Sequence, residues 1–271
     1  MQRDKRGFRV RTVLIVTLGE VRKELLIIWT YKVGQLSGLA TLAFVFVGIS
    51  FMMGDGALEP EEMSSFFLGY LAWMYTMSAV GDLSWGLRGE MNAGTLEQMS
   101  MSPAPVGLIL IGRVLTNFMI STGEVLLLGI VMSSLVGIQV PMRWEGVVVL
   151  ALMLVGVFGF GFMVAGAVLV FKQIESLANL VQNALLFLNG SMLPVEAMPG
   201  WMAAVVRTLP STQGVVVLRR VVLGGQSLAS VWQDRSLVWL VVHSAVYFTA
   251  GWLAFGFCER VAKEQGSLGQ Y

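Results

Sequence analysis

The chain has 271 residues, of which 56% are hydrophobic and 13% charged, with a formal net charge of +1 and a mean hydropathy of +0.74. A soluble domain usually carries about 25% charged residues, so this composition excludes an ordinary water-soluble fold, and so small a net charge gives no reason to expect nucleic acid as a partner. One cysteine, Cys258, excludes an internal disulfide, and one histidine beside it leaves no zinc-binding constellation.

Residues 8–32 mix basic positions with Phe8, Val13, Leu14, Leu25, Ile28 and Trp29 at helix-compatible spacing. This pattern suits an amphipathic helix lying in the membrane interface, aromatic groups at headgroup level and bases near anionic lipid. Its apolar stretch VLIVTL is short and runs into GEVRKE, so no cleaved signal is expected. A helix crossing about 30 Å of hydrocarbon needs roughly 20 apolar residues. Such runs occur at 33–53, 66–83, 106–136, 146–170 and 236–257, with a more polar one at 175–193. The expectation is an all-α polytopic membrane protein with six transmembrane helices. One membrane domain fills residues 1–271: an interfacial helix at 1–32, a six-span region at 33–257 and a tail at 258–271.

Residues 1–32 hold eight basic side chains against three acidic ones, whereas the next loop carries Asp55, Glu59, Glu61 and Glu62 and no base. The positive-inside rule then puts the N-terminus in the cytoplasm, and six spans return the C-terminus there. On this topology Arg207, Arg219, Arg220 and Arg235 fall on the outer side, against the rule.

Between spans 2 and 3 stands RGEMNAGTLEQMSMSPAPVG, a polar stretch longer than a plain connection needs. Residues 82–93 can form a short amphipathic helix that Gly94 breaks. Thr95 with Gln98 has the capping-box form, and Ser102 before Pro103 offers a cap for the next helix. The expected product is a stiff cytoplasmic hairpin over 84–102 that leaves Arg88, Glu90 and Glu97 to a partner. Inside the third span, Glu124 would cost about 2.5–3.5 kcal/mol if ionised in lipid, so it is expected to be protonated, paired or facing a wet interior. The glycines at 156, 159, 161 and 166, with Ala165, form a small-residue face for helix packing. His243 in the last span reads as an interhelical hydrogen-bonding contact.

In the fifth span Asn179, Gln182 and Asn183 lie within about 100° of one another, and Asn189 is nearly in register. Amides are poorly tolerated in lipid, so this stripe reads as a dimer interface, a pathway lining, or both. Beyond it, Pro194, Pro199 and Pro210 cut the chain into pieces too short to cross a membrane. The middle piece places Trp201, Met202, Val205 and Val206 on one apolar face.

EMNAGTLEQMSMSP resembles the signature that follows the second span in the ATP-binding-cassette type-2 permease family. Residues 188–225 resemble a later one, with a glycine, two prolines five apart, a Leu-Pro, then arginine and glycine. The resemblance implies the membrane subunit of an exporter in the cell (cytoplasmic) membrane, paired with a second permease copy, identical or related. The hairpin residues Arg88, Glu90, Gly94, Thr95, Leu96 and Glu97 would seat in a separate ATPase subunit. Pro194, Pro199, Trp201, Pro210 and Arg219 would belong to short re-entrant helices between spans 5 and 6, with Arg219 or Arg220 in the family's arginine position. No Gly-Lys dipeptide occurs, so the P-loop is missing and the chain itself is not expected to be an enzyme. It would bind no cofactor or metal; ATP and Mg would sit in the partner. The alternative is an ATP-independent carrier or channel.

Overall fold

The computed structural model describes residues 18–19, 21–23, 25–53, 60–95, 98–99, 101, 106–138, 140–171, 175–190, 195 and 198–264. All regular structure among them is helical. We number the elements α1 (Lys32–Met53), α2 (Pro60–Asn92), α3 (Val106–Val136), α4 (Trp144–Val170) and α5 (Glu175–Leu188), followed by α6 (Gly200–Val206), α7 (Thr212–Val222), α8 (Leu228–Gln233) and α9 (Ser236–Glu264). Residues 25–30 are also helical and run almost directly into α1: the amide of Tyr31 bonds to the carbonyl of Ile27 and that of Gln35 to Tyr31. Leu25, Leu26 and Trp29 are exposed there, as a segment lying in lipid requires. The rest of the expected interfacial helix, up to residue 17, lies outside the described residues.

Among the described residues four helices are long and apolar enough to cross a membrane: Lys32–Met52, Ile109–Val136, Trp144–Val170 and Ser236–Glu264. The sequence suggested six. Of the other two, α2 has the length, at 33 residues, but is interrupted by polar positions such as Ser78, Asp82 and Ser84. The fifth, α5, has 14 residues and so spans only about 21 Å. The protein is therefore a multi-pass, all-helical membrane protein.

The closest packing is between α4 and α9. A Cβ placed on Gly251 would stand 1.9 Å from the carbonyl oxygen of Gly159, and one on Gly159 would stand 2.4 Å from the backbone of Tyr247 and Phe248. Gly156 meets Ser244 and Gly166 meets Phe255 in the same rising order, so the two helices run parallel. Hydrocarbon offers no hydrophobic drive for helices to associate, and small residues that let backbones touch take its place. Gly161 turns to α2 instead, where a Cβ would lie 2.9 Å from Leu83 and 3.0 Å from the carbonyl of Ala79. The small-residue face expected for packing thus serves two neighbours. On a further side of α4, α7 is received through Gly214, packed on Met153, and Gly146, packed on Val222.

The helix α1 runs antiparallel to α2. Phe46 stacks on Phe66 at 5.0 Å and meets Phe67 at 4.9 Å, while the Tyr70 hydroxyl donates to the carbonyl of Leu42 at 2.9 Å. Apart from this aromatic cluster α1 is largely exposed. At α6, Ala203 and Val206 are buried with Val195 and Met198, while Trp201 and Val205 face outward. The apolar face expected for this short helix is thus divided between protein and surroundings. His243 approaches the carbonyl of Thr208 at 3.1 Å through Nε2, and the Tyr247 hydroxyl donates to the same oxygen at 2.6 Å. The histidine therefore ties α9 to the segment after α6.

Gly251→Ala should destabilise the purified protein by more than the roughly 1–3 kcal/mol typical of overpacking, because the added methyl meets backbone that cannot swing away. Gly256→Ala, with open space around it, should leave the melting temperature within a degree or two. Equal melting temperatures for the two variants would refute the seam.

Candidate functional site

The helix α2 is about 50 Å long, well beyond the roughly 30 Å of a hydrocarbon core. Its termination is built by Gly94, which takes φ +68, a left-handed conformation that glycine adopts without steric cost. The amide of Gly94 then bonds to the carbonyl of Met91 at 3.0 Å and that of Thr95 to Glu90 at 2.9 Å, the paired bonds of a Schellman cap. Beyond it the amide of Met99 bonds to the carbonyl of Thr95 at 2.9 Å, and residues 98–99 are helical. Leu96, Glu97 and Ser102 lie outside the described residues.

The sequence left Glu90 to a partner. Its carboxylate is in fact taken inside the chain: Arg113 of α3 donates from Nη2 at 2.8 Å, and the Thr95 hydroxyl donates to its other oxygen. Thr95 thus turns its hydroxyl back to α2. The side chains of Arg113 and Glu90 are 7% and 25% exposed. Partial burial alone would raise the Glu90 pKa, but the bonds from Thr95 and Arg113 and the nearby charges of Arg113 and Lys23 hold it below the ordinary carboxylate value. Arg88 is half-buried beside it.

Sequence reading passed over Arg113, although a signal was present. Arg113, Asn117, Ser121 and Glu124 follow one another at four, four and three residues, one face of α3, and on α2 Ser78, Asp82 and Glu90 follow at four and eight. These two polar stripes face each other. Between them the Tyr75 hydroxyl donates to Thr122 at 3.0 Å, and the Ser78 hydroxyl donates to Asp82 at 2.6 Å while lying 2.7 Å from Ser121. Glu124 is half-buried, makes no hydrogen bond or ion pair among the described residues, and opens into adjoining spaces of about 240 and 480 Å³.

On α5 the amide stripe divides. Gln182 and Asn189 are buried at 4% and 0% exposure, and the Gln182 carbonyl accepts from the Trp73 indole at 3.0 Å. Asn179 and Asn183 are exposed. Pro194 lies outside the described residues; Pro199 precedes the first turn of α6, and Pro210 is buried before α7. The two adjacent arginines of α7 also divide. Arg219 donates to the carbonyls of Ser65, at 3.1 Å, and Gly190, at 2.5 Å, tying the start of α2 to the end of α5. Arg220 turns to Gln226, Ser236 and Asp234, bridging α7 to α8 and α9.

A multi-pass helical bundle with a capped reversal after its second helix and a short-helix region before its last is the plan of a transporter membrane domain. The sequence matches the ABC-2 type transporter family over residues 20–223, and the chain belongs to that family, whose members are the permease component of the transporter and not its ATPase. No curated protein matches the sequence.

Glu90→Gln should lower stability by about 2 kcal/mol, the worth of a hydrogen bond to a charged group. Because the folded carboxylate titrates below its unfolded value of about 4.5, the contribution is complete above that pH and lost as pH falls through the folded value. Melting temperatures of wild type and variant should therefore differ at pH 7 and converge in acid; a gap unchanged at pH 3.5 would contradict the ion pair. Arg219→Lys should lower the melting temperature more than Arg220→Lys, since lysine cannot span two carbonyls at once. The reverse order in a thermal-shift measurement would mean that the Ser65 and Gly190 bonds carry no weight.

Proposed function

We propose that this chain is the permease subunit of an ATP-driven exporter. It works as a dimer, crosses the membrane six times with both termini in the cytoplasm, and receives a separate ATPase subunit at residues 84–102. The observation that carries the reading is the clasp below the reversal: Glu90 binds Arg113 on α3 and Thr95 just past Gly94. A push on the tip therefore acts on α2 and α3 together rather than bending a loose loop. The partner would hold ATP and Mg and convert its own closure into that push.

The parallel run of α4 and α9 supports an odd number of crossings between them. With α6, α7 and α8 too short, α5 and the residues after it make that crossing. Arg219 then lies at the outer end, where α6 and α7 form the re-entrant hairpin expected from the family, with Trp201 towards lipid headgroups. The exposed amides Asn179 and Asn183 suit a face covered by the second permease copy, and the Gln182 carbonyl, which accepts from the Trp73 indole, holds α5 to α2. An ATP-independent carrier is the competing reading, and the carboxylates of Asp82 and Glu124 near mid-bundle are what it would use.

Coexpression with its ATPase separates the two. Gly94→Val places a β-branched side chain at φ +68 and should cut copurified ATPase or substrate-stimulated hydrolysis several-fold. Leu96→Pro should do the same, whereas Gly89→Ala, with nothing near the new methyl, and Glu61→Lys at the opposite end of α2 should not. Full coupling in both Gly94→Val and Leu96→Pro would refute the assignment of this hairpin.

A further inference from the structure

Glu124 stands near the midpoint of the apolar stretch Ile109–Val136, and no described residue bonds to it. A carboxylate at that depth is costly unless an opposite charge or water meets it. The two spaces it opens into share Ile28, Gln35 and Ile120 as well as Glu124 itself, so they form one slot. Their linings differ. The larger, about 480 Å³, is walled by Leu25, Leu36, Leu39, Met119 and Leu127. The smaller, about 240 Å³, is polar towards α2, where Ser78, Asp82, Asn117 and Ser121 lie, with Trp85 beside them. Lys32 reaches the rim of the larger space, but its ammonium lies over the Trp29 ring, 5.2 Å from the centroid.

We propose that this slot binds a lipophilic organic cation, with its apolar body against Leu36, Leu39, Met119 and Leu127 and its positive centre at Glu124. This rests on the permease reading and names its substrate class. The combined volume falls in the range of small-molecule sites. Two carboxylates in one lining repel an anion. A neutral apolar molecule would fill the larger space and leave Glu124 facing hydrocarbon, whereas a cation removes that cost and gains a charge-assisted contact. Trp85 adds an aromatic face on the polar side, suited to a positive centre. The slot is walled by the segment before α1 and by α1, α2 and α3.

The probes are tetraphenylphosphonium and tetraphenylborate, of one shape and opposite charge, with equilibrium binding measured on the detergent-purified permease–ATPase complex. Wild type should bind the phosphonium and discriminate against the borate. Glu124→Gln should weaken phosphonium binding by about tenfold or more, the weight of one charge-assisted contact, and reduce that discrimination. Glu124→Asp should stay within a few-fold of wild type. Leu36→Trp, at an exposed position that tolerates bulk, should weaken the phosphonium by obstructing the slot and so tests the site even if Glu124→Gln proves unstable. Undiminished phosphonium binding in either Glu124→Gln or Leu36→Trp, or equal binding of the two probes to wild type, overturns the proposal. Failure of the permease reading would show differently: no ATPase would copurify, and binding would be read on the permease alone.

Discussion

Everything in this bundle is positioned by one contact, the approach of the Gly251 backbone to the Gly159 carbonyl. A single methyl there would separate α4 and α9 by more than a side-chain adjustment could absorb. The next side of α4 receives α2 through Gly161, and a further side receives α7 through Gly146. With three neighbours fixed on one helix, the remaining elements are placed relative to them: α5 against α2 through Trp73 and Gln182, and α8 beside α9 through Arg220. Dispersion between closely apposed backbones, rather than exclusion of water, holds such an assembly together.

That arrangement produces two halves of different stiffness. Around α4 the helices are in backbone contact. Around α1 and α3 they meet through larger side chains and leave the slot beneath Glu124. The clasp of Glu90 on Arg113 joins the Tyr75–Thr122 and Ser78–Ser121 contacts in linking α3 to α2, and it is the one ion pair among them. A machine that turns a push into a path needs both properties, a frame that does not yield and a wall that does.

Much of this was legible from local pattern. The apolar runs, the arrest at Gly94 and the small residues of α4 each depend on properties that a single segment carries. What stayed hidden depends on register between segments. Glu90 and Arg113 are 23 residues apart, and only the antiparallel alignment of α2 and α3 brings them together. The four-residue spacing of Arg113, Asn117 and Ser121 was visible, yet their apolar surroundings drew attention to Glu124 alone. The amides at 179–189 read as one stripe because helical geometry gives their angles but not which of them neighbours cover: Gln182 and Asn189 are buried, Asn179 and Asn183 exposed. Arg219 and Arg220 stand about 100° apart, so neighbouring helices alone decide their separate duties. Among the described residues four helices met the length and composition of a crossing, since polar positions such as Ser78, Asp82 and Ser84 interrupt α2 and α5 is short.

The two clasps at the ends of the bundle differ in what they ask of evolution. Arg219 grips main-chain oxygens, so Ser65 can drift to almost any helix-compatible residue and still present its acceptor. Gly190 is limited by its own φ of +78, not by the bond it accepts. The arginine is thus brittle and its acceptor at position 65 permissive. At the other end both members of the pair are side chains, and neither can change charge without stranding the other. Substitutions there must arrive in step, which makes Glu90 and Arg113 a pair whose histories are bound together, while Arg219 can outlast the turnover of the helix start it holds.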